Sequence, residues 1–313
     1  MRKKLIFIVG PTASGKTDVA LCLAKRLDAE IVSCDAMQVY KEISILTAKP
    51  SAQALRSVKH HLINTISVSE DFDVSIFRTK VLAAIKTIER KKKIPLIVGG
   101  SGLYMAILLD GIFKEKRNSS YALVRQRIEQ EIKEFGLEAV YARLQRVDPA
   151  AAFKIHVHDA RRIIRALEVY ETQGKPISVL KQKRKGLWST HDVAAFVISF
   201  DRDVLYARIN ARVEQMFASG AVDEIQKISK KSISQTALGI IGLKEIRQVL
   251  GGKITQAQAK EIIQRNTRRY AKRQLTWLRK DPRLTWVKAG AMEDADQIAD
   301  KILDILRKAR RDD

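Results

Sequence analysis

The chain has 313 residues, of which 46% are hydrophobic, enough for one large or two ordinary domains with packed cores. Its two cysteines, Cys22 and Cys34, exclude a disulfide framework and a four-cysteine zinc site, which fits a reducing cytoplasm. The 58 Lys and Arg residues outnumber the 35 Asp and Glu residues, and the resulting net charge of +23 favours a polyanionic partner over a merely basic protein.

The N-terminal segment predicts a buried strand over residues 4–9, followed by a glycine-containing loop and a helix from Gly15 to Leu27. The apolar run before Gly10 is too short for a signal peptide. No other stretch is long enough to span a bilayer. We therefore expect a cytoplasmic protein with no membrane partner.

The loop between this strand and helix matches the phosphate-binding pattern G-x-x-x-x-G-K-[ST] in the context that the pattern requires. Gly10 and Gly15 let backbone N–H groups converge on phosphate oxygens, and the helix N-terminus adds the positive end of its dipole. Lys16 supplies a point charge, and the Thr17 hydroxyl can bind Mg²⁺, the expected cofactor. The predicted phosphate-binding residues are Gly10, Pro11, Thr12, Ala13, Ser14, Gly15, Lys16 and Thr17.

Strands and helices alternate along the next part of the chain. A second strand is predicted at residues 29–33, and apolar residues at helical spacing predict a helix over 75–93. A third strand at 95–98 is closed by Gly99 and Gly100. This alternation is typical of a parallel sheet with crossover helices.

The pattern then changes, because residues 119–173 show only helical periodicity and a strand returns at 193–200. A strand that returns after a helical segment indicates an inserted domain. We predict an α/β fold, with a P-loop NTPase-like parallel sheet core, an inserted all-helical domain and a helical C-terminal region. The predicted core spans 1–117 and 193–313, and the predicted inserted domain spans 118–192.

The phosphate loop does not itself specify its ligand. ATPases and many kinases carry an acidic residue at the end of a later strand, whereas the strand at 95–98 ends in Gly99-Gly100-Ser101. The nearest carboxylate is Asp35, directly after the second strand. Because ligands bind at the carboxyl ends of parallel strands, we expect Asp35 to share a crevice with Thr17. A helix or turn cap explains the position of Asp35 equally well.

Further short segments accompany the phosphate loop along the chain. They are Ser33-Cys-Asp-Ala-Met-Gln-Val-Tyr-Lys41, Thr47-Ala-Lys-Pro50, His60-His-Leu62, Val98-Gly-Gly-Ser-Gly-Leu-Tyr104, Asp159-Ala-Arg-Arg-Ile-Ile-Arg-Ala-Leu-Glu-Val-Tyr170, Asp201-Arg202 and Thr267-Arg-Arg-Tyr-Ala-Lys-Arg-Gln-Leu-Thr-Trp277. With these segments in order over nearly its whole length, the chain resembles the tRNA dimethylallyltransferase (tRNA isopentenyltransferase) family. The phosphate loop is shared by many NTPases, whereas the segments that begin at Ser33 and Thr267 are far more specific.

The resemblance implies transfer of a dimethylallyl group from dimethylallyl pyrophosphate to the N6 amine of the adenine immediately 3′ of the anticodon in tRNA. It implies that the loop binds the pyrophosphate, that Asp35 is the general base, that Thr17 assists at the pyrophosphate and metal, and that Arg202 contacts the pyrophosphate. The partners would be dimethylallyl pyrophosphate and the tRNA anticodon stem-loop, bound by a monomer. The implied tRNA-binding residues are Asp35, Ala36, Met37, Gln38, Ser101, Arg125, Asp159, Ala160, Arg161, Arg162 and Ile163.

A run of cations near the C-terminus supports a nucleic-acid partner independently of the resemblance. Arg265, Arg268, Arg269, Lys272 and Arg273 are spaced so that they form one stripe on a helix. Acidic residues are too few in this segment for ion pairing along the helix to account for the stripe. We therefore predict that the stripe contacts a phosphate backbone.

Three other functions are open at this point. A small-molecule kinase of the phosphate-loop class would account for residues 10–17 but not for the basic C-terminal helices. A nucleic-acid-binding protein that has kept a vestigial loop would bind RNA and show no activity toward allylic pyrophosphates. A relative that alkylates free adenine nucleotides needs no basic stripe, and the net charge of +23 argues against it.

Overall fold

The computed structural model of the chain describes residues 2–113 and 120–309. The described residues form two compact units. The first unit comprises Met1–Leu108 and Thr190–Asp313, and the second comprises Leu109–Ser189. The predicted domain boundary between 117 and 118 and the predicted helix start at 119 lie outside the described residues.

A parallel sheet forms the centre of the first unit. Its strands are β1 (Lys4–Val9), β2 (Ala29–Cys34), β3 (His60–His61), β4 (Ile94–Gly99), β5 (Asp192–Ser199) and β6 (Thr285–Lys288). The six strands lie in the order β3-β2-β4-β1-β5-β6, and every neighbouring pair is parallel. The register at the carboxyl ends pairs Val9 with Gly99 and with Val197, so the loops after β1, β4 and β5 emerge at one edge.

The predicted α/β architecture is confirmed, and the four predicted strands match β1, β2, β4 and β5 to within one residue at each end. The two outer strands were not predicted because they are short. The strand β3 has two residues, and Thr285 and Trp286 of the edge strand β6 are exposed. Neither strand is long enough to show the alternation of apolar and polar residues that distinguishes a strand from a loop.

Helices flank the sheet and build the second unit. The helices before the second unit are α1 (Lys16–Leu27), α2 (Ala52–Ser57), α3 (Val74–Arg90) and α4 (Gly102–Asp110). The next helices are α5 (Ser120–Val147), α6 (Pro149–Ala152), α7 (Ala160–Gln173), α8 (Ile177–Gln182) and α9 (Leu187–Thr190). The remaining helices are α10 (Arg202–Ala218), α11 (Ala221–Lys227), α12 (Leu243–Leu250), α13 (Gln256–Leu278) and α14 (Ala295–Ala309). No helix in the described ranges is long and apolar enough to cross a membrane.

Helices α1 and α14 cover one face of the sheet. Val19 and Leu23 of α1 and Ile302 of α14 are fully buried against Ile6 and Ile8 of the central strand β1. This packing fixes the N-terminus of α1 at the carboxyl end of β1. The phosphate loop between them is therefore held by rigid elements at both ends.

The second unit is a helical body with its own core, in which Ile128 and Leu144 of α5 pack with Ile163 and Leu167 of α7. Helix α5 is interrupted at Gly136, whose φ of 83° and ψ of 160° lie outside the helical region. The interruption lets residues on both sides of Gly136 face the same core.

The chain enters and leaves the second unit at two glycines that lie against backbone. A Cβ on Gly111 would lie 2.3 Å from the carbonyl oxygen of Lys185, and a Cβ on Gly186 would lie 2.1 Å from that of Leu109. The two chain segments therefore touch backbone to backbone at this point. The contact brings together the two ends of the second unit, which spans Leu109–Ser189.

Candidate active site

The phosphate loop connects β1 to α1, as its sequence predicts. A Cβ on Gly10 would lie 2.7 Å from Ser14 Oγ and 2.8 Å from the carbonyl oxygen of Ile198, so only glycine fits there. Ala13 and Gly15 adopt left-handed conformations with φ of 63° and 72°, and these turn the chain into the first residue of α1. The turn gathers the backbone N–H groups at a helix N-terminus, which is an arrangement that binds anions.

The loop opens into a cavity of about 740 Å³ within the first unit. Its wall combines the phosphate loop, the segment after β2, and the helices α10 and α13. The predicted site residues in the wall are Thr12, Ala13, Gly15, Lys16, Thr17, Asp35, Ala36, Met37 and Gln38. Gly10, Pro11 and Ser14 shape the loop without lining the cavity.

Asp35 lies in the crevice that the sequence predicts, in the wall of the same cavity as Thr17. Its carboxylate also caps a turn, because the backbone N–H of Met37 donates to Asp35 Oδ1 at 2.8 Å. Asp35 therefore both lines the cavity and caps a turn, as the two explanations of its position predict. The turn fixes one carboxylate oxygen and leaves the other available to a ligand.

Cations dominate the charge of the cavity wall. The wall contains the cations Lys16, Lys49, Arg208, Arg212 and Arg273, and its carboxylates are Asp18 and Asp35. Burial and the neighbouring Arg212 guanidinium lower the pKa of Lys16 to about 8, although the Asp35 carboxylate acts in the opposite direction. An anion in the cavity would relieve this repulsion, so the charges favour a ligand with several negative charges.

Two arginines of α10 contact the phosphate loop, and the sequence did not identify them. Arg208 Nε donates to the carbonyl oxygen of Ala13 at 3.0 Å, and Arg212 Nη1 donates to Thr12 Oγ1 at 3.1 Å. They lie one turn apart on the same face of the helix. The available signal was an Arg pair at i, i+4 in a helix that follows a strand of the sheet.

For Arg202 the contact with the pyrophosphate stays a prediction. Its guanidinium lies over the ring of Tyr206, 5.3 Å from the centroid, and Arg202 is not among the residues that line the cavity. Six residues of α-helix turn through about 600°, so Arg202 and Arg208 point in directions roughly 120° apart. Arg208 and Arg212, rather than Arg202, are the arginines that the fold brings to the loop.

Gln274 of α13 joins the phosphate loop to the end of β4. The backbone N–H of Thr12 donates to Gln274 Oε1 at 2.9 Å, and Gln274 Nε2 donates to the carbonyl oxygen of Gly100 at 2.8 Å. The residue is 6% exposed, and its bond to Gly100 is buried whereas its bond to Thr12 is partly buried. The Thr12 N–H is therefore already paired, and the loop N–H groups that can meet a ligand lie further along the loop.

The predicted basic stripe lies on α13, where its members have different environments. Arg265, Arg269 and Lys272 are exposed. Arg268 Nη1 donates to Asn210 Oδ1 at 2.6 Å, and Arg273 lines the cavity. Three members of the stripe are therefore available to a partner at the surface, and one lies at the cavity itself.

Most of the other predicted tRNA-binding residues lie in the second unit. Ser101 follows β4 and is half-buried outside the cavity wall. Arg125 Nε lies 3.0 Å from a carboxylate oxygen of Glu129. The remaining predicted tRNA-binding residues, 159–163, lie at the start of α7.

Asp159 caps α7, because its Oδ1 accepts from the backbone N–H of Arg162 at 3.2 Å. Arg161 and Arg162 are exposed, and Ala160 is the half-buried first residue of the helix. Ile163 is 0% exposed and belongs to the core of the second unit, so only its backbone could take part in the predicted tRNA contact. Its side chain cannot touch RNA while this core is intact.

The cavity wall fits a magnesium ion that arrives with a phosphate ligand. Within residues 2–113 and 120–309, no group of three or more His, Cys, Asp or Glu side chains is placed to hold a metal. Mg²⁺ usually keeps several waters and takes few protein ligands together with substrate phosphates. The Thr17 hydroxyl in the cavity wall suits that mode of binding.

Comparison with known proteins agrees with the geometry. A family model described as IPP transferase matches residues 38–281. The tRNA dimethylallyltransferase of Carboxydothermus hydrogenoformans is 42% identical over 304 residues, which cover 97% of each chain. That of Geobacter sulfurreducens is 40% identical over 296 residues, which cover 94% of each chain.

Two solved structures are similar over most of the chain. The tRNA isopentenylpyrophosphate transferase from Bacillus halodurans has a TM-score of 0.72 at 36% identity, with 99% of this chain and 98% of that chain covered. A eukaryotic dimethylallyltransferase acting on tRNA has a TM-score of 0.81 at 28% identity, with 96% and 77% covered. The resemblance inferred from the sequence motifs is confirmed, and the chain belongs to the IPP transferase family.

Proposed function

We propose that the chain transfers the dimethylallyl group of dimethylallyl pyrophosphate to the N6 amine of the adenine immediately 3′ of the anticodon in tRNA, and releases pyrophosphate. Membership of the family supports this class of reaction. One observation carries the proposal for this chain: the phosphate loop and Asp35 line the same cation-rich cavity. An anion clamp and a base therefore share one reaction space.

The pyrophosphate binds at the phosphate loop. Backbone N–H groups at the start of α1, the Lys16 ammonium and the guanidinium groups of Arg208 and Arg212 surround it. As the bond between the allylic carbon and oxygen breaks, negative charge gathers on the leaving pyrophosphate. Donors that are already aimed at this charge stabilise the transition state more than the ground state.

Asp35 acts as the general base. The exocyclic amine of adenine is a poor nucleophile, because its lone pair is delocalised into the ring. As the new carbon–nitrogen bond forms, the nitrogen becomes strongly acidic, and the Asp35 carboxylate takes its proton. The products are N6-dimethylallyladenine in the tRNA and free pyrophosphate, so atoms and charge balance.

Magnesium is the proposed cofactor, with the Thr17 hydroxyl as its protein ligand. When bound, it supplies positive charge at the departing pyrophosphate. Lys16 and the two arginines hold the same ligand independently of the metal.

Phosphoryl transfer to a small molecule is the principal alternative, and the strand ends do not favour it. The strand β4 ends at Gly99, and Asp201, the first carboxylate after β5, lies outside the cavity wall. Asp201 is 70% exposed and pairs with Lys288 at 2.9 Å. The acidic residue that kinases place near the metal is thus not supplied by either strand.

A tRNA substrate agrees with the charge distribution. The exposed cations Arg265, Arg269 and Lys272 lie on the same helix as Tyr270 and Arg273, which line the cavity. A phosphate backbone bound along α13 would therefore place a neighbouring base near the cavity. We propose that the anticodon stem-loop binds here to a monomer, and that the reaction takes place in the cytoplasm, where tRNA is found.

The test is incubation with unmodified tRNA, Mg²⁺ and labelled dimethylallyl pyrophosphate, followed by nucleoside analysis. We expect labelled N6-dimethylallyladenosine at the position 3′ of the anticodon. A tRNA with guanine at that position and the Asp35→Asn protein are the matched controls, and both should remain unlabelled. ATP hydrolysis with no transfer of label would contradict the proposal and favour phosphoryl transfer to a small molecule.

A further inference from the structure

A second, much smaller cavity lies between the sheet and the start of α1, with a volume of about 20 Å³. The register pairs Ile31 of β2 with His60 of β3, and Ser33 of β2 with Val98 of β4. Paired residues of parallel strands, and residues two apart in one strand, direct their side chains to the same face. These four side chains therefore line the cavity from the sheet, and Ala20 closes it from α1.

His60 places an unpaired acceptor in this cavity. Its Nδ1 lies 2.8 Å from the carbonyl oxygen of Val58, and a carbonyl only accepts, so Nδ1 carries the proton. In the neutral ring Nε2 is then an acceptor. Nε2 is buried and has no hydrogen-bond partner in the described part of the chain. Burial also lowers the pKa of His60 below its ordinary value, which keeps the ring neutral near pH 7.

The cavity has the size and lining of a water site. One water needs about 10–15 Å³ and two to four polar partners. The polar residues in the wall are Lys16, Thr17, Ser33, Asp35, Gln38 and His60. A molecule in this space is therefore bordered by polar residues of β2, of β3 and of the start of α1. An unpaired buried acceptor is uncommon in native proteins and calls for a donor.

We infer that this cavity binds one water molecule, which donates one hydrogen bond to His60 Nε2 and the other to the carboxylate of Asp35. This makes His60 a positioning residue for the base, and the assignment of that role rests on the proposed function. The Met37 N–H already donates to Asp35 Oδ1 at 2.8 Å. The water is a second donor, and two donors from different directions fix the plane of the carboxylate.

Two neighbouring groups act on His60. Lys16 lines the same cavity and defines the competing arrangement, and the adjacent His61 acts electrostatically to lower the pKa of His60. The Lys16 ammonium donates to the carbonyl oxygen of Pro11 at 3.3 Å and faces the pyrophosphate site. A direct hydrogen bond from Lys16 to His60 would leave no role for the water.

The first experiment is a crystal structure of the full chain at a resolution that shows ordered water. We expect one water within hydrogen-bond distance of both His60 Nε2 and an Asp35 carboxylate oxygen. A dry cavity, or a Lys16 ammonium bonded directly to His60 Nε2, would overturn the inference. This readout does not depend on activity, so it decides the inference even if the protein transfers no dimethylallyl group.

The second experiment compares His60→Phe with His60→Gln in the transfer assay. Both variants lose the bond to Val58, but only Gln keeps an oxygen that can accept from the water. We expect His60→Phe to lower kcat about tenfold with both KM values within about twofold, and His60→Gln to restore most of the loss. His61→Gln is the control, since His61 pairs with Glu30 at 2.8 Å outside the cavity and kcat should not change.

If His60→Phe and His60→Gln had equal kcat values, the acceptor at position 60 would have no role in positioning Asp35. A loss of kcat in His61→Gln as large as that in His60→Phe would likewise show that the His60 side chain matters only for folding. A wild-type protein that forms no product would instead refute the proposed function. The two failures are therefore distinguishable.

Discussion

Replacing Gln274 with Met removes one buried and one partly buried hydrogen bond and keeps nearly the same side-chain length. In the wild type, Gln274 donates to the buried Gly100 carbonyl oxygen at 2.8 Å and accepts from the partly buried Thr12 N–H at 2.9 Å. Met cannot replace either bond. The Gly100 carbonyl oxygen then lacks a partner away from water, whereas the Thr12 N–H faces the cavity and can bond to water. One unpaired buried group costs about 1–3 kcal/mol, so the free energy of unfolding should fall by about 1–3 kcal/mol.

Urea unfolding followed by circular dichroism measures this change, with Gln264→Met as the control. Gln264 lies on the same helix, and its Nε2 donates to Glu214 Oε1 at 3.0 Å on the exposed surface. Its replacement should change the free energy of unfolding by no more than about 0.5 kcal/mol. Calorimetry should also show weaker pyrophosphate binding in Gln274→Met, because the loop is less firmly held. Equal unfolding free energies in the two variants would refute the reasoning.

Three further predictions concern the base, the loop lysine and the basic stripe. Asp35→Asn should lower turnover by roughly 10²–10⁴ with tRNA binding nearly intact, as measured by single-turnover transfer and filter binding; near-normal turnover would leave Asp35 as a turn cap only. Because the pKa of Lys16 is about 8 and a bound anion raises it, pyrophosphate affinity should fall as pH rises above about 8, and Lys16→Met should abolish this dependence in calorimetry. If pyrophosphate affinity still fell above about pH 8 in Lys16→Met, a group other than Lys16 would be responsible for the pH dependence. Changing Arg265, Arg269 and Lys272 together to Gln should flatten the log–log salt dependence of tRNA binding by about two units, and an unchanged slope in the folded variant would place the tRNA elsewhere.

The stripe prediction has a matched control on α14. Lys301, Arg307 and Lys308 are exposed cations on this helix, and none of them lines the cavity. Changing these three to Gln alters the net charge of the protein by the same amount. The salt dependence of tRNA binding should stay nearly unchanged, which separates a specific contact from a general effect of charge.

Local sequence patterns were sufficient to predict the elements that carry the phosphate loop and Asp35. The phosphate loop, the strands that flank it and the position of Asp35 all depend on residues close in sequence, and the structure places them as predicted. Ile163 was assigned to tRNA by its position in a family segment. The helical spacing of the apolar residues Ile163, Ile164 and Leu167 was a local signal that the Ile163 side chain is buried.

Contacts between distant residues could not be predicted in the same way. Arg208, Arg212 and Gln274 meet the phosphate loop across 195, 200 and 262 positions of the chain. A basic or polar residue on a helix does not reveal from sequence alone which loop lies opposite. Arg202 was chosen because it belongs to a family segment, and in the structure its guanidinium lies over the ring of Tyr206 outside the cavity wall.

The hydrogen bond between Thr12 and Gln274 also bears on the order in which the protein can mature. Chains generally begin to fold from the N-terminus during synthesis. Here the ribosome makes the phosphate motif first. The side chains that bond to the motif from outside belong to α10 and α13, which are made much later. The strand β1 also pairs with β5 only after Ser199 has been made. A nascent or prematurely released chain that ends before α13 carries the complete motif but lacks the hydrogen bond between Thr12 and Gln274. Incomplete translation products therefore should not sequester the allylic pyrophosphate from finished enzyme.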